Sequence, residues 1–275
     1  LVTGASSGFR KTVAQYVLKN GDVAVVAARK REALSFLSSQ YSSDRLCVFE
    51  VDVTKEQNVV AAFAKTKEVF QRLDVVFNNA SYGALGEVEG TPDDVARSVF
   101  EVNFWGNVNV TKAVKFFRKV NAPGVGGRLV QISSASGIRA FPVVGFYAAS
   151  KHAIEGLSES LARELDPKWN IKITILEPSG FKTSSGSYII RTPIHPAYDD
   201  PSQVCYRFRK ALDGLLERGD PDKAARVIYQ LAAHPEPPFR LPLGKDALEV
   251  FREKLSSTVA EVEKFASWSD DLALD

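Results

Sequence analysis

Short β-branched or apolar runs alternate along this chain with longer amphipathic stretches, and that alternation constrains the fold more than any single motif. The runs are Leu1–Thr3, Val23–Ala28, Leu46–Val51, Leu73–Phe77, Arg128–Ile132 and Lys172–Leu176, with a late candidate at Phe239–Leu241. Near-continuous apolar strands are buried on both faces, and strand–helix–strand alternation gives a parallel sheet with helices on either side. At 275 residues and 45% hydrophobic composition the chain can bury one full core. The expected architecture is therefore a single α/β domain with a doubly wound parallel sheet, in three layers α/β/α.

The intervening stretches carry helix signals. Thr54-Lys55-Glu56-Gln57 has the form of a capping box. Thr91-Pro92-Asp93-Asp94 offers a cap, a proline at the first helical position and two acids in the first turn. One helix is expected from about Pro92 to Val120 and another from Ala148 to about Leu165. Between Ser179 and Pro201 the periodicity stops and Gly, Ser, Thr, Pro and aromatic residues dominate, which predicts a mobile flap over a site. Helical patterns return around Gln203 and Pro221, and Lys245–Phe265 reads as a closing helix. The chain opens at the end of an apolar strand without an initiator methionine, so further N-terminal residues are expected to precede Leu1.

Lys+Arg 35 against Asp+Glu 33 leaves a net charge of +2, which gives no electrostatic support to a nucleic-acid or anionic-membrane partner and favours a small ligand. Cys47 and Cys205 lie far apart, with no metal-ligand spacing to each other or to His152, His195 and His234. They read as reduced structural thiols of a cytoplasmic protein, and no metal is expected. No run approaches the roughly 18 apolar residues of a membrane span.

Thr3-Gly4-Ala5-Ser6-Ser7-Gly8-Phe9-Arg10 follows a strand and opens a helix. Glycines there let the backbone approach a pyrophosphate, and free amides at the helix start point at its charge, as in a Rossmann-type domain. The second strand ends in Ala28-Arg29-Lys30-Arg31, with no acid to hold a ribose 2′-hydroxyl. Arg29 could instead clamp a 2′-phosphate, which favours NADP(H) over NAD; the same residues also suit a solvated basic start to the next helix. Asp52, in Val51-Asp52-Val53-Thr54, could accept from an adenine amino group or close a turn. Asn78-Asn79-Ala80-Ser81 follows the fourth strand, at the carboxyl edge where doubly wound sheets bind ligands.

Tyr147-Ala148-Ala149-Ser150-Lys151 sets two side chains four apart on one helix face, so the ammonium can approach the phenol and favour its ionisation. Ser134, thirteen residues before Tyr147, leaves a strand terminus in Ile132-Ser133-Ser134-Ala135-Ser136-Gly137 and could face the same carbonyl. Asn103, in Val102-Asn103-Phe104-Trp105-Gly106, is an unhelpful helix former placed in mid-helix.

Together these motifs resemble the short-chain dehydrogenase/reductase family over essentially the whole chain: the Gly-rich turn, Asn78-Asn79-Ala80, Asn103, Ser134, Tyr147, Lys151 and Pro178–Thr183. The region 179–201 and Arg240-Leu241-Pro242-Leu243-Gly244 further resemble a fungal-type branch of it. The resemblance implies an oxidoreductase in which hydride passes between NADPH and a carbonyl carbon while Tyr147 exchanges a proton with the oxygen. It implies that Ser134 polarises that oxygen, that Lys151 holds the nicotinamide ribose and depresses the Tyr147 pKa, and that Asn103 holds a water linking Lys151 to solvent. Gly4, Ser6, Ser7, Gly8, Phe9, Arg29, Asp52, Val53, Asn79, Ala80 and Ser81 would contact the cofactor, with Pro178, Gly180, Phe181 and Thr183 bordering the nicotinamide. Phe141, Phe146, Phe181 and Tyr188 suggest an apolar substrate pocket. The helices carrying Asn103 and Tyr147 resemble those by which family members pair, which implies a homo-oligomer.

Three positions depart from that pattern. Arg10 stands where the family has the third glycine of its turn, Ser81 ends a run that usually closes on glycine, and Ser179 replaces the glycine after Pro178. Arg10 motivates the alternative expectation, an impaired Rossmann protein serving as a nucleotide-binding or interaction module.

Overall fold

The computed structural model describes residues 1–5, 8–182, 189–215 and 218–272. The main sheet holds seven parallel strands among the described residues: β1 (Val2–Thr3), β2 (Ala24–Ala28), β3 (Leu46–Glu50), β4 (Val75–Asn78), β6 (Gly127–Ile132), β7 (Ile171–Pro178) and β9 (Arg240–Leu243). Two short strands, β5 (Ala84–Leu85) and β8 (Ile190–Arg191), pair apart from it. The main order is β3-β2-β1-β4-β6-β7-β9, so the winding direction reverses between β1 and β4. All five residues of β2 are buried, as a strand covered on both faces requires.

The helices are α1 (Gly8–Lys19), α2 (Ser35–Ser38), α3 (Glu56–Phe70), α4 (Asp93–Phe100), α5 (Asn107–Thr111), α6 (Ala113–Lys119), α7 (Gly145–Glu164), α8 (Val204–Leu215), α9 (Pro221–Ala233) and α10 (Lys245–Lys264). On one face Val13, Ala14 and Leu18 of α1 join Ala225 and Ile228 of α9 over β1 and β2. On the other, Val59 and Ala62 of α3 pack with Val110 and Phe117 over the opposite faces of the strands. The doubly wound, three-layer domain expected from the alternation is therefore the observed one.

Local chemistry departs from expectation in three places. Thr54 does not cap α3: its hydroxyl donates to Asp52 Oδ1 at 2.8 Å, and Lys55 precedes the helix without a side-chain bond to it. Thr91 likewise donates to the Glu87 carbonyl at 2.8 Å and leaves Pro92 at the cap. The single helix expected from Pro92 to Val120 is broken by a π turn over Glu101–Gly106 and again at Lys112. Asn107 explains the first break: its amide nitrogen bonds the Asn103 carbonyl at 2.8 Å and the Ala80 carbonyl at 3.0 Å, drawing the helix onto the loop after β4.

The region expected as a flap, 179–201, is tied down where it is described. The Ile190 N–H donates to the Gly83 carbonyl and the Thr192 N–H to the Leu85 carbonyl. Arg209 donates to both carboxylate oxygens of buried Glu87 at 2.9 Å and to the Thr192 carbonyl at 2.8 Å. Burial pushes the Glu87 carboxyl up, but backbone N–H groups and Arg209 outweigh it and hold it below the ordinary value. Thr183 and Tyr188 lie outside the described residues.

Candidate active site

The carboxyl ends of β1 and β4 flank the reversal in strand order, where doubly wound sheets bind ligands, and those of β6 and β7 follow along the same edge. Gly4 and Gly8 take φ of +67° and +59°, a backbone turn that a Cβ would strain, and Gly8 opens α1. Thr3 fastens this turn to the next strand: its hydroxyl oxygen accepts from the Asn79 N–H at 3.0 Å and the Ala80 N–H at 3.2 Å. Asn78 is fully buried, donating to the Asn107 carbonyl and to Gln131 Oε1. Ser6 and Ser7 lie outside the described residues, as does the side chain of Arg10, which falls in the first turn of α1.

A cavity of about 450 Å³ runs from Gly8 and Phe9 past Asn79, Ser81 and Ser134 to Tyr147, Pro178, Gly180 and Phe181. Phe9 and Phe181 meet edge to face, 4.6 Å between ring centres. Farther out the lining is apolar, with Phe141 stacked on Phe208 beside Val144, Ile189 and Leu212. Phe146 is not among the lining residues. Arg29 and Lys30 are exposed at the end of β2 and do not line this cavity. Asp52 Oδ1 accepts from both the N–H and the hydroxyl of Thr54, so it closes a turn, while Val53 is buried and its carbonyl accepts from Asn109.

Tyr147 lies in the first turn of α7, just after Val143, which is held at φ +58°. That conformation strains a β-branched residue by about 1–3 kcal/mol, and the Gly86 N–H secures it by donating to the Val143 carbonyl at 2.8 Å. The Ser134 hydroxyl oxygen accepts from the Ser136 N–H at 3.1 Å, and the Ser134 side chain is hydrogen-bonded to the Tyr147 hydroxyl. Burial pushes the Tyr147 phenol above its ordinary value, with the Ser134 bond drawing it partly back. The expectation of a phenol depressed by Lys151 is thus corrected in this structure. The Lys151 ammonium donates to the Ile132 carbonyl at 2.9 Å and stands 5.7 Å from the Tyr147 ring centre. Asn103 is fully buried in the π turn, with its side chain bonded to the Tyr82 backbone and to Ser150. Ser150 in turn donates to the Tyr147 carbonyl at 2.7 Å.

Beneath the site lies a charged cluster that sequence reading missed. Ser133 donates to Glu155, one turn beyond Lys151 on α7, and Arg240 bonds both Glu155 and Glu177. Burial, and next the charge of Glu155, push the Glu177 carboxyl up to about 7. Burial also raises Glu155, although Ser133 and Arg240 oppose it. The only sequence signals were two acids at otherwise apolar sheet and helix positions and an arginine in the last strand.

Comparison with known proteins identifies the frame. The model of the short chain dehydrogenase family matches residues 1–192. The chain belongs to the short-chain dehydrogenase/reductase family. It is 36% identical over 277 residues to an uncharacterized oxidoreductase of Schizosaccharomyces pombe, covering 100% of this chain and 91% of that one, which fits the fungal-type branch. A short-chain dehydrogenase from Streptomyces avermitilis superposes with a TM-score of 0.87 at 32% identity, covering 99% and 97% of the two chains. ElxO, solved with NADP bound, gives a TM-score of 0.67 at 26% identity over 84% of this chain and 89% of its own. This family member is therefore an oxidoreductase whose structural relatives bind NAD or NADP. Among the described residues no helix is long and apolar enough to cross a membrane, and no group of three or more His, Cys, Asp or Glu could hold a metal ion.

Proposed function

We propose that the protein is an NADPH-dependent reductase of aldehydes or ketones, able to run the reverse oxidation. The observation that carries this reading is the Tyr147 hydroxyl, hydrogen-bonded to Ser134 at the wall of the cavity and held neutral by burial. A neutral phenol is the form that donates a proton to a nascent alkoxide.

The residues present fit a nicotinamide dinucleotide. The two left-handed glycines shape a cradle at the α1 N-terminus, and that cradle opens into the cavity ending at Tyr147 and Pro178. Gly4, Gly8 and Phe9 would hold the pyrophosphate, Asp52 and Val53 the adenine, Asn79, Ala80 and Ser81 the adjoining ribose, and Pro178, Gly180 and Phe181 the nicotinamide. Exposed Arg29, with no acid beside it at the end of β2, supports a 2′-phosphate, and the NADP bound to ElxO supports the same choice. When bound, the cofactor supplies hydride to the carbonyl carbon. Tyr147 hands its proton to the carbonyl oxygen. Ser134, oriented by the Ser136 N–H, polarises that oxygen. Lys151 supplies positive charge behind the phenol and a donor for the nicotinamide ribose. Asn103 positions this machinery through Ser150 and Tyr82.

Ser179, Gly180, Phe181 and Ile189 line the cavity, which supports a substrate-shaping role for the 179–201 region. Two free, half-buried thiols fit a cytoplasmic protein. The test is Tyr147→Phe: turnover of a carbonyl substrate falls roughly 10²- to 10⁴-fold, while energy transfer from tryptophan to bound NADPH titrates as in the parent. Retained turnover would overturn the proposal.

A further inference from the structure

Helix α10 has two apolar faces, and among the described residues only one of them is covered. Ala247 is buried against the domain, Val250 lines the cavity, and Asp246 and Glu253 on the same side pair with Arg218 and Arg139 of the body. The other face carries Leu248, Leu255 and Val262 at intervals of seven, and Phe251, Thr258 and Phe265 at the same interval. From Arg252 to Leu272 every residue is exposed, with Leu255 at 54%, Val262 at 60% and Trp268 at 78%. A helix of roughly 12–15 residues without tertiary contacts is marginal in water, so an uncovered tail of this kind gains stability from a partner. A seven-residue apolar repeat is the seam of a helix-on-helix contact.

We infer that α10 pairs antiparallel with α10 of a second copy of this chain. Charge complementarity selects that occupant. Setting Leu255 against Thr258 of the second copy places Phe251 against Val262 and Leu248 against Phe265. The same register brings Lys254 beside Glu261 on either side of the seam's centre, the two pairs related by a two-fold axis. An anionic membrane is disfavoured, because residues 245–272 carry seven acidic side chains against four basic ones. This face is separate from the helices carrying Asn103 and Tyr147, so the contact exists whether or not those helices also associate.

The test is analytical ultracentrifugation of the full chain at micromolar concentrations. Leu255→Glu with Val262→Glu abolishes one association step, and their exposure keeps the domain folded. Lys254→Glu alone, which sets Glu against Glu twice, weakens that step about tenfold. Lys254→Glu combined with Glu261→Lys restores it, and NADPH binding is unchanged throughout. A monomeric parent protein, an association step indifferent to the Leu255 and Val262 substitutions, or a double charge reversal that fails to restore association would each overturn the proposal. So would binding of the parent to phosphatidylserine vesicles that the Leu255 and Val262 substitutions remove.

Discussion

Asn103 clasps Tyr82 at both ends of its backbone: the amide oxygen accepts from the Tyr82 N–H at 3.0 Å, and the amide nitrogen donates to the Tyr82 carbonyl at 2.9 Å. A side chain thereby does the work of a strand neighbour and fixes the loop after β4 against the broken helix. Asn103→Ala leaves two backbone groups without these partners, and each such group costs about 1–3 kcal/mol when buried. The expected loss is on the order of 2–4 kcal/mol, read as a lower urea midpoint with an unchanged slope. Asn103→Asp keeps the acceptor but sets a buried carboxylate against the Tyr82 carbonyl, and is expected to lose at least as much as Asn103→Ala.

The alkaline behaviour of Tyr147 follows from its burial. Because the phenol is held above its ordinary value, its proton is in place throughout the neutral range. For carbonyl reduction, kcat/KM is expected to stay level through neutrality and fall only at alkaline pH. Ser134→Ala removes the bond that draws the phenol back, and should shift the alkaline limb upward as well as lower the rate. A pH–rate profile of both proteins checks the two effects together.

Much of this frame was legible in the sequence because its signals are local. β2 is five consecutive buried residues, and any chain with that composition seeks cover on both faces. The broken helix was not legible, because Asn107 stops it by bonding Ala80, a residue 27 positions away. Thr54 and Thr91 fit the capping pattern, yet each found a nearer acceptor, Asp52 in one case and the Glu87 carbonyl in the other. The β5–β8 pair is two residues long on each side, too short for periodicity to reveal. Tyr147 and Lys151 were visible as a pair four apart, but the sequence could not show how far the phenol is removed from water, and burial is the largest influence on it.

Cofactor choice should turn on Arg29. It is exposed at the end of β2 with no acidic neighbour in Ala28-Arg29-Lys30-Arg31. Arg29→Ala is expected to weaken NADPH binding by roughly tenfold or more and leave NADH unchanged, since a hydrogen bond to a charged group is worth about 1.5–3 kcal/mol. Titrating both nucleotides against parent and variant separates this from general damage, which would weaken both.

The far wall of the cavity depends on the buried pair of Glu87 and Arg209. Removing one partner strands the other charge, so Arg209→Met is expected to destabilise the protein by about 3–5 kcal/mol. Adding Glu87→Gln removes the stranded charge and should recover part of that loss. Urea unfolding of the two single variants and the double variant measures the coupling.

Glu177 supplies a pH signature of the cluster beneath the site. Its carboxyl is pushed from an ordinary value of 4.5 up to about 7, by burial and by the neighbouring charge of Glu155. Between those values the folded chain holds a proton that the unfolded chain has released. This contribution to stability is therefore full below pH 4.5 and is lost as pH rises through 7. Glu177→Gln keeps the shape, can still accept from Arg240, and has no proton to lose. Relative to the parent, the variant should gain stability steadily from pH 5 to pH 8, and then by a constant amount above that. Thermal melts of both proteins across this range provide the measurement, and parallel curves would mean that Glu177 stays ionised beside Arg240.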